Sequence, residues 1–260
     1  MSQEMKPSTT LPSTLELLQR HSLTTLVQEE IERLILGGEL SSGDKLNEAL
    51  LAERLHVSRG PVREAFRALQ ASGLVRLVKN RGVFVRDVSV AEADEIYEVR
   101  AALEQLVGQR LATRTSTAQM KELRLILDHM QRSATRRDLD AYSSLNLQFH
   151  DTLVMFTGNG KLLATYRRLV NELNLYRRET LSSGSGEGGG LTVSHGEHRR
   201  IVDAISSGNE EAAGRAMHDH VIASRTRMHR AKDKRVAEAP DRKSDGARDR
   251  RRTAVLGGGL

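Results

Sequence analysis

The 260-residue chain has no cysteine and no tryptophan, and aromatic residues make up only 3% of it. The absence of cysteine excludes a disulfide framework and any chemistry that uses a thiolate. With so few aromatic side chains, the core has to be built from leucine, valine, isoleucine and alanine, a composition that suits helices. No apolar run approaches the roughly 18 residues of a membrane-spanning helix, and the opening MSQEMKPSTTLPST lacks the apolar segment of a signal peptide. We therefore expect a cytoplasmic protein that does not bind membranes.

The net charge of +6 favours an anionic partner, but it is unevenly distributed. Residues 231–252 contribute +4, with nine basic and five acidic side chains, so the rest of the chain contributes only +2. Evidence for nucleic-acid binding must therefore come from local motifs and not from the total charge. We expect residues 1–20, rich in serine, threonine and proline, and the charged tail at 232–260 to be disordered.

The most informative segment is residues 47–85, NEALLAERLHVSRGPVREAFRALQASGLVRLVKNRGVFV. A short amphipathic stretch, Glu48–Leu55, is followed by a tight turn and by a second helix that Ser58 is placed to cap. Gly73 ends this second helix in the usual position for glycine. Apolar residues recur at helical spacing and predict its buried face, formed by Val62, Ala65, Phe66 and Leu69.

Basic residues lie on the exposed parts of the same segment. Arg59 and Arg63 are four residues apart near the start of the second helix, the end that enters the major groove in helix-turn-helix proteins. An arginine there can bind guanine or a phosphate in fork geometry. Two β-rich runs, Leu74–Val78 and Val83–Arg86, predict a hairpin with basic residues on its turn. Together these features predict a winged helix-turn-helix that binds DNA.

The remainder of the chain predicts an all-α bundle. Its periodic segments read as helices at about 91–114, 117–136, 138–157, 160–182, 192–207 and 209–231. The longest connection, Ser182–Gly190, has the sequence SSGSGEGGG and is expected to be a flexible loop. The fold class is thus mainly α, with a winged helix of three helices and a β-hairpin at 21–87, followed by a helical effector domain at 88–231.

Three histidines in the bundle are expected to point inward from three helices. Asn146 and His150 share a helical face, and His198 and His220 each continue the apolar face of their own helix. Three unpaired histidines are costly in a core, whereas neutral imidazoles readily bind a divalent metal ion. The alternative is that each histidine is a hydrogen-bonded core residue.

Both parts of the chain resemble one family of bacterial regulators. Residues 26–85, including GGELSSGDKLNE and VSRGPVREAFRAL, resemble the winged helix of the GntR family. Residues 91–230 resemble the FCD effector domain of its FadR-like branch in the stretches YEVRAALEQLVGQRLA, NLQFH, GNGKLL and EHRRIVDAISSGNEEAAGRAMHDH. The resemblance and the local pattern assign DNA contact to Ser58, Arg59, Gly60, Arg63, Lys79, Asn80, Arg81 and Gly82. Gly60 is a departure, because the family often has threonine there, so the operator sequence stays open.

The resemblance also implies ligands for the bundle. Metal-binding members use an Asp, a His four residues later and two later His, at the positions of Asn146, His150, His198 and His220. Asparagine retains an amide oxygen but brings no charge, so the metal affinity should fall; zinc is the first expectation, with nickel or manganese as alternatives. Arg100 occupies a pocket position that implies contact with the carboxylate of a small organic-acid effector, although an ion pair with Glu104, its i+4 neighbour, is the other interpretation.

We therefore expect a ligand-responsive transcriptional repressor, and not an enzyme, that binds a pseudo-palindromic operator in double-stranded DNA as a homodimer. Two other interpretations stay open. In one, the bundle serves only for dimerisation and holds no metal. In the other, the chain is a metal-dependent hydrolase, although no HExxH-type pair or evident general base is present.

Overall fold

The computed structural model describes residues 22–181 and 188–238. Its first part consists of α1 (Leu23–Gly37), β1 (Lys45–Leu46), α2 (Glu48–Arg54), α3 (Arg59–Ala71), β2 (Val75–Val78) and β3 (Gly82–Val85). The strands form an antiparallel sheet in the order β1–β3–β2, and Val78 pairs with Gly82 at the tip of the hairpin. The prediction of a helix-turn-helix with a β-hairpin wing is confirmed.

A single hydrophobic cluster holds the winged helix together. α1 begins after Ser22, whose hydroxyl accepts a hydrogen bond from the backbone N–H of Thr25 (3.2 Å). It ends at Gly38, which takes the left-handed conformation (φ 84°) that favours glycine. The predicted inner face of α3 lies in the middle of the cluster and is no more than 2% exposed: Val62, Ala65, Phe66 and Leu69.

Two local predictions for this part are corrected. Ser58 has the extended backbone of an N-cap residue, but its hydroxyl accepts no capping hydrogen bond. The third residue of α3 is Pro61, which has no N–H to donate to such a cap. The second correction is β1, which was not predicted; two residues are too few to show a strand pattern, and they form a strand only by pairing with Val83 and Phe84.

The second part is an all-α bundle, as predicted. It consists of α4 (Val90–Arg114), α5 (Thr117–Arg136), α6 (Leu139–Phe156), α7 (Gly160–Leu181), α8 (Gly188–Ser206) and α9 (Glu210–Glu238). Local caps begin several of these helices: Ser89 caps α4, and Ser116 and Gln119 form a reciprocal capping box at α5. α4 packs most extensively against α9 and also contacts α6, α7 and α8, so it is the central helix of the bundle.

Two predicted boundaries of the bundle are wrong. α8 begins at Gly188, so three glycines that were assigned to a loop form its first turn. Glycine disfavours a helix by about 1 kcal/mol relative to alanine, but the following residue, Leu191, packs against the core and favours continuation. α9 continues to Glu238, past the predicted start of the tail at residue 232, because AKDKRVAE consists mainly of good helix formers. The predicted disorder of residues 1–20, and of the tail beyond 238, concerns residues outside the described ranges.

Within residues 22–181 and 188–238, no helix combines the length and the apolar character needed to cross a membrane.

Gly108 lets the central helix approach α9 closely. A Cβ atom built at Gly108 would lie 2.5 Å from the backbone oxygen of Ala213 and 2.9 Å from Cγ of Met217. The neighbouring backbone cannot move away without shifting α9. The α4–α9 contact therefore depends on the absence of a side chain at this position.

We expect Gly108→Ala to lower the free energy of unfolding by about 1–3 kcal/mol, since overpacking forces a backbone shift. Urea unfolding measures the change. The control is Gly196→Ala in α8, where a Cβ would meet nothing within 4 Å, so alanine should be neutral or stabilise by up to about 1 kcal/mol. Equal effects of the two substitutions would contradict the close approach.

Candidate metal centre and DNA-binding surface

The predicted DNA contacts of the helix-turn-helix lie together on the surface. Ser58, Arg59 and Gly60 are exposed at the start of α3, and Arg63 is exposed one turn later. Residues three and four apart share one face of a helix, and the free backbone N–H groups of a helix N-terminus favour a phosphate. The surface suits DNA, and the contacts themselves stay predictions.

Arg63 is held by an acidic residue of the preceding helix. Its Nη2 donates to Glu48 Oε1 at 2.8 Å and its Nε donates to Glu48 Oε2 at 3.2 Å. Hydrogen bonding from Arg63 lowers the pKa of Glu48. The pair uses one edge of the guanidinium group and leaves the Nη1 edge free, so Glu48 restricts Arg63 while a second fork contact stays open.

The wing presents the other predicted DNA contacts, Lys79, Asn80, Arg81 and Gly82, all of them exposed. Asn80 and Gly82 have positive φ angles, 60° and 108°, which the tight turn between β2 and β3 requires. The guanidinium carbon of Arg81 lies 6.0 Å from the ring centroid of Phe84. Lys79 and Arg81 therefore give the tip of the wing a positive surface.

Three histidines from three helices meet in the core of the bundle, as the sequence predicts. His150 on α6, His198 on α8 and His220 on α9 are 2%, 0% and 5% exposed. Nε2 of His150 lies 3.2 Å from Nε2 of His198 and 3.1 Å from Nε2 of His220. Nitrogen ligands about 2.1 Å from one tetrahedral zinc ion would lie roughly 3.4 Å apart. The three residues thus have the spacing of a group that could hold one metal ion.

Two carboxylates lie behind the histidine rings, that of the buried Glu104 and that of the half-buried Glu197. Glu197 Oε2 is 2.8 Å from Nδ1 of His220. Glu104 Oε2 is 2.9 Å from Nδ1 of His150, although the angle departs from that of a hydrogen bond. A carboxylate beside Nδ1 favours a proton there and leaves the lone pair on Nε2. Two such lone pairs 3.1 Å apart repel each other, and a cation between them would remove the repulsion.

Two of the three clustered histidines, His198 and His220, are held in the neutral form. Burial lowers the pKa of His198 well below its ordinary value of 6.5, and the neighbouring histidines lower it further. Burial also lowers the pKa of His220 to about 4, although Glu197 opposes this shift. Neutral imidazole is the form that binds a metal ion, so near pH 7 no proton has to be removed from these two residues first.

The two carboxylates are ionised because basic groups outweigh the effect of burial. Burial raises the pKa of Glu104, but Arg100 and His150 hold it well below the ordinary value of 4.5. Burial likewise raises the pKa of Glu197, but His220 and Arg227 lower it to about 2. Both glutamates therefore carry a negative charge directly behind the cluster.

Arg100 makes the ion pair that was one of its two predicted roles. The residue is 5% exposed, and its Nε and Nη2 donate to Glu104 Oε1 at 2.8 and 2.5 Å. Its guanidinium carbon also lies 5.8 Å from the ring centroid of Tyr97 and 5.7 Å from that of Tyr166. Contact between Arg100 and an effector stays a prediction.

The other residues considered near the cluster are placed as follows. Asn146 is half-buried one turn before His150 on α6, and its role as a fourth ligand stays a prediction. His195 is buried in α8, and its Nε2 is 3.2 Å from the backbone oxygen of Leu127. His129 is exposed and His218 is partly exposed, so neither belongs to the cluster.

The part that carboxylates play in this site is not evident from the sequence motifs. Glu104 was considered only as a partner of Arg100, although two charged residues on the otherwise apolar face of α4 are a sign of a buried polar network. Glu197 gave no such sign, because it reaches His220 and Arg227 only through the packing of α8 on α9. Its proximity to His198 in the sequence does not reveal this contact.

Two family models match the chain. The model described as "Bacterial regulatory proteins, gntR family" matches residues 23–85, and the model described as "FCD domain" matches residues 95–223. The matches cover the winged helix and most of the bundle.

Named relatives and solved structures are similar over most of their length. "Uncharacterized HTH-type transcriptional regulator YdhC" of Bacillus subtilis (strain 168) is 30% identical over 75% of this chain and 84% of the relative. "Probable D-xylose utilization operon transcriptional repressor" of Paenarthrobacter nicotinovorans is 30% identical over 82% and 92%. A GntR structure from Rhodococcus sp. RHA1 has a TM-score of 0.64 at 28% identity, covering 81% of this chain and 99% of that one. The structure of E. coli McbR/YncC, with a TM-score of 0.68 at 19% identity over 80% and 98%, shows likeness of fold alone.

The histidine cluster predicts a pH-dependent stability for the metal-free protein. His198 and His220 accept protons more readily in the unfolded chain than in the folded one, so their contribution to stability is complete above pH 6.5 and is lost as the pH falls below 6.5, down to about 4 for His220. We expect the free energy of unfolding, measured with urea and a chelator, to fall by up to about 1.4 kcal/mol per pH unit for each histidine. His198→Gln should flatten this slope, and the exposed His129→Gln should not. An unchanged slope in His198→Gln would contradict the assignment.

For DNA, we expect Arg63→Ala to weaken operator binding by about 1–3 kcal/mol if Arg63 makes a bidentate base contact. Replacing Lys79 or Arg81 should mainly reduce the salt dependence of binding, because the wing is expected to contact phosphates. Binding titrations at several salt concentrations distinguish the two effects. An unaltered affinity in the double variant Arg59→Ala/Arg63→Ala would rule out this docking mode.

Proposed function

Because the chain belongs to the GntR family of bacterial regulatory proteins, and is therefore a DNA-binding transcriptional regulator, we propose that its FCD domain binds a divalent metal ion and a small carboxylate effector that alter operator affinity. The regulator acts as a repressor, in keeping with the name of the relative from P. nicotinovorans. A regulator that binds bacterial operator DNA works in the cytoplasm, where that DNA lies.

One observation carries the metal proposal, the convergence of three buried Nε2 atoms. His150, His198 and His220 would hold the ion, and Asn146 would offer a fourth, neutral ligand. When bound, the ion would act as a Lewis acid that draws a carboxylate to its open coordination position. Zinc suits a set of imidazole ligands, and nickel or manganese are the alternatives.

The charge around the cluster supports a modest affinity. Glu104 and Glu197 place two negative charges behind the histidines, but each carboxylate also pairs with an arginine, Arg100 or Arg227. The charges of the two glutamates and the two arginines therefore cancel, and the positive charge of a bound metal ion would be left uncompensated. An acidic residue at position 146 would supply the missing charge.

The effector proposal rests on the surroundings of Arg100 and His220. Glu104 occupies the Nε and Nη2 groups of Arg100, and a carboxylate would bind the remaining Nη1 edge. A groove of about 340 Å³ between α8 and α9 leads from the surface to His220, and its lining includes Arg200, Glu197 and Asp219. Such a groove offers a small ligand a path to the cluster, with Arg200 as its basic group.

The outer face of α4 supports the proposal of a homodimer. Val99 is 48% exposed, Leu106 is 37% exposed, and Ala102 between them is also exposed. These residues form one apolar strip along the central helix, because they repeat at helical spacing. A second copy packed on this strip would give two winged helices related by a two-fold axis, which matches a pseudo-palindromic operator.

The competing proposals are a purely structural bundle and an enzyme. The neutral Asn146 favours the first, since a weak site can be empty in the cell. A metal-dependent hydrolase finds no support, because Glu104 and Glu197 are both committed to histidine and arginine partners and neither is free to act as a general base. We therefore propose a regulator without catalytic activity.

We expect zinc to raise the unfolding temperature of metal-free protein, because a ligand that binds only the folded state stabilises it by about 2.7 kcal/mol at 100 times its dissociation constant. Thermal unfolding and metal analysis measure the effect. His150→Ala should abolish it, the exposed His129→Ala should retain it, and Asn146→Asp should tighten zinc binding on the order of tenfold or more. If zinc leaves both the wild type and Asn146→Asp unaffected, the structural alternative is correct.

A further inference from the structure

One helix of the effector domain contributes residues to a hydrophobic core of the bundle and also to the core of the winged helix. On α7, Leu162 and Tyr166 are buried in the core of the bundle. Further along the same helix, Leu175 is buried among the core residues of the winged helix. The short segment between β3 and α4 is therefore not the only connection between the two parts, since α7 also packs directly on the DNA-binding part.

Asn171 joins α7 to the end of α3, which is the recognition helix of the helix-turn-helix. Its Nδ2 donates a hydrogen bond to the backbone oxygen of Ser72 at 3.2 Å, and Ser72 is the C-cap residue of α3. The last carbonyl groups of a helix have no partner within the helix. A side chain of the effector domain thus supplies a partner at the end of α3.

Glu172 joins the same helix to the base of the wing. This residue is 4% exposed, and its Oε1 accepts hydrogen bonds from Nη1 of Arg86 (2.7 Å) and Nε of Arg168 (3.1 Å). The backbone N–H of Arg86 in turn donates to the backbone oxygen of Leu74 at 3.0 Å, and Arg86 also pairs with Glu92 at the start of α4. The carboxylate of Glu172 therefore binds Arg86, whose backbone is hydrogen-bonded next to the sheet.

Gly73, between these two contacts, allows the close approach. It has a positive φ of 80°, and a Cβ there would lie 2.7 Å from Oε1 and 2.9 Å from Cγ of Glu172. Glycine at this position therefore allows the left-handed backbone that ends α3 and leaves room for Glu172 of α7.

We propose that Asn171 and Glu172 are positioning residues for operator binding, which hold the recognition helix at a fixed angle to the bundle and thereby set the half-site spacing that the dimer accepts. The inference rests on the proposed function, because it requires a dimer on a two-part operator. Half-sites in such operators lie about one helical turn of DNA apart. A winged helix held by its chain connection alone would swing and tolerate several spacings.

α7 also connects these contacts of Asn171 and Glu172, which we call the α7 joint, with the proposed effector site. Tyr166 of α7 lies against Arg100, whose guanidinium group is bound to Glu104 next to His150. A ligand that displaces Arg100 would act on α7, and α7 carries the joint with the recognition helix. A shift of α7 in the bundle would therefore change the angle of α3 and with it the half-site spacing that the dimer accepts.

The test uses full-length protein and a half-site obtained by selection from random DNA. Two copies of the half-site are placed at separations that increase by one base pair over a full helical turn. The wild type should bind one separation on the order of 100-fold more tightly than separations half a turn away, because only one geometry engages both heads. Asn171→Ala and Glu172→Gln should reduce this ratio to about tenfold or less while affinity for a single half-site is unchanged.

Arg167→Ala is the matched control, since Arg167 lies on the same helix but pairs with Asp151 of the bundle. It should keep the wild-type spacing preference. Circular dichroism and thermal unfolding show whether each variant is folded. If Glu172→Gln is unstable, Asn171→Ala still tests the inference, because it removes only one neutral hydrogen bond. If Asn171→Ala retains a sharp preference for one half-site separation, this inference is wrong but the proposed function is unaffected. A wild type that binds all separations equally overturns the two-part operator and hence the proposed function as well.

Discussion

A carboxylate that is removed from water has to be neutralised by its surroundings, and Glu104 meets this constraint in a way that organises the whole bundle. It is fully buried on the central helix, it accepts two hydrogen bonds from Arg100, and it lies behind His150. Removing Arg100 would leave an uncompensated buried charge, which is strongly destabilising. The positions of His150 in the histidine cluster and of Arg100 therefore both depend on the side chain of Glu104.

This arrangement connects the proposed effector site with the winged helix through direct side-chain contacts. Arg100 lies against Tyr166, and Tyr166 belongs to the helix that also reaches the recognition helix through Asn171 and Glu172. Packed helices shift as units because protein interiors are dense. The proposed effector would need to move only one buried guanidinium group to influence the distant surface, provided that it binds the two arrangements with different affinity.

Much of the fold follows from local patterns in the sequence. The winged helix was predicted because its turn, its glycine stop and its apolar spacing lie within forty consecutive residues. The errors arose where a distant residue decides the outcome. Ser58 does not cap α3 because Pro61 lacks the N–H, β1 exists only by pairing with β3, and α8 extends to Gly188 beside a packed Leu191.

The sequence by itself determined which residues share a helical face, because an α-helix repeats every 3.6 residues whatever surrounds it. That was sufficient to place His150, His198 and His220 on inward faces and to expose the basic residues of α3. Only the tertiary structure decided that the three Nε2 atoms meet and that Glu197 stands behind one of them. It also decided that α7 joins the recognition helix. These contacts connect residues far apart in the chain, and their distances follow from how helices pack and not from any local repeat.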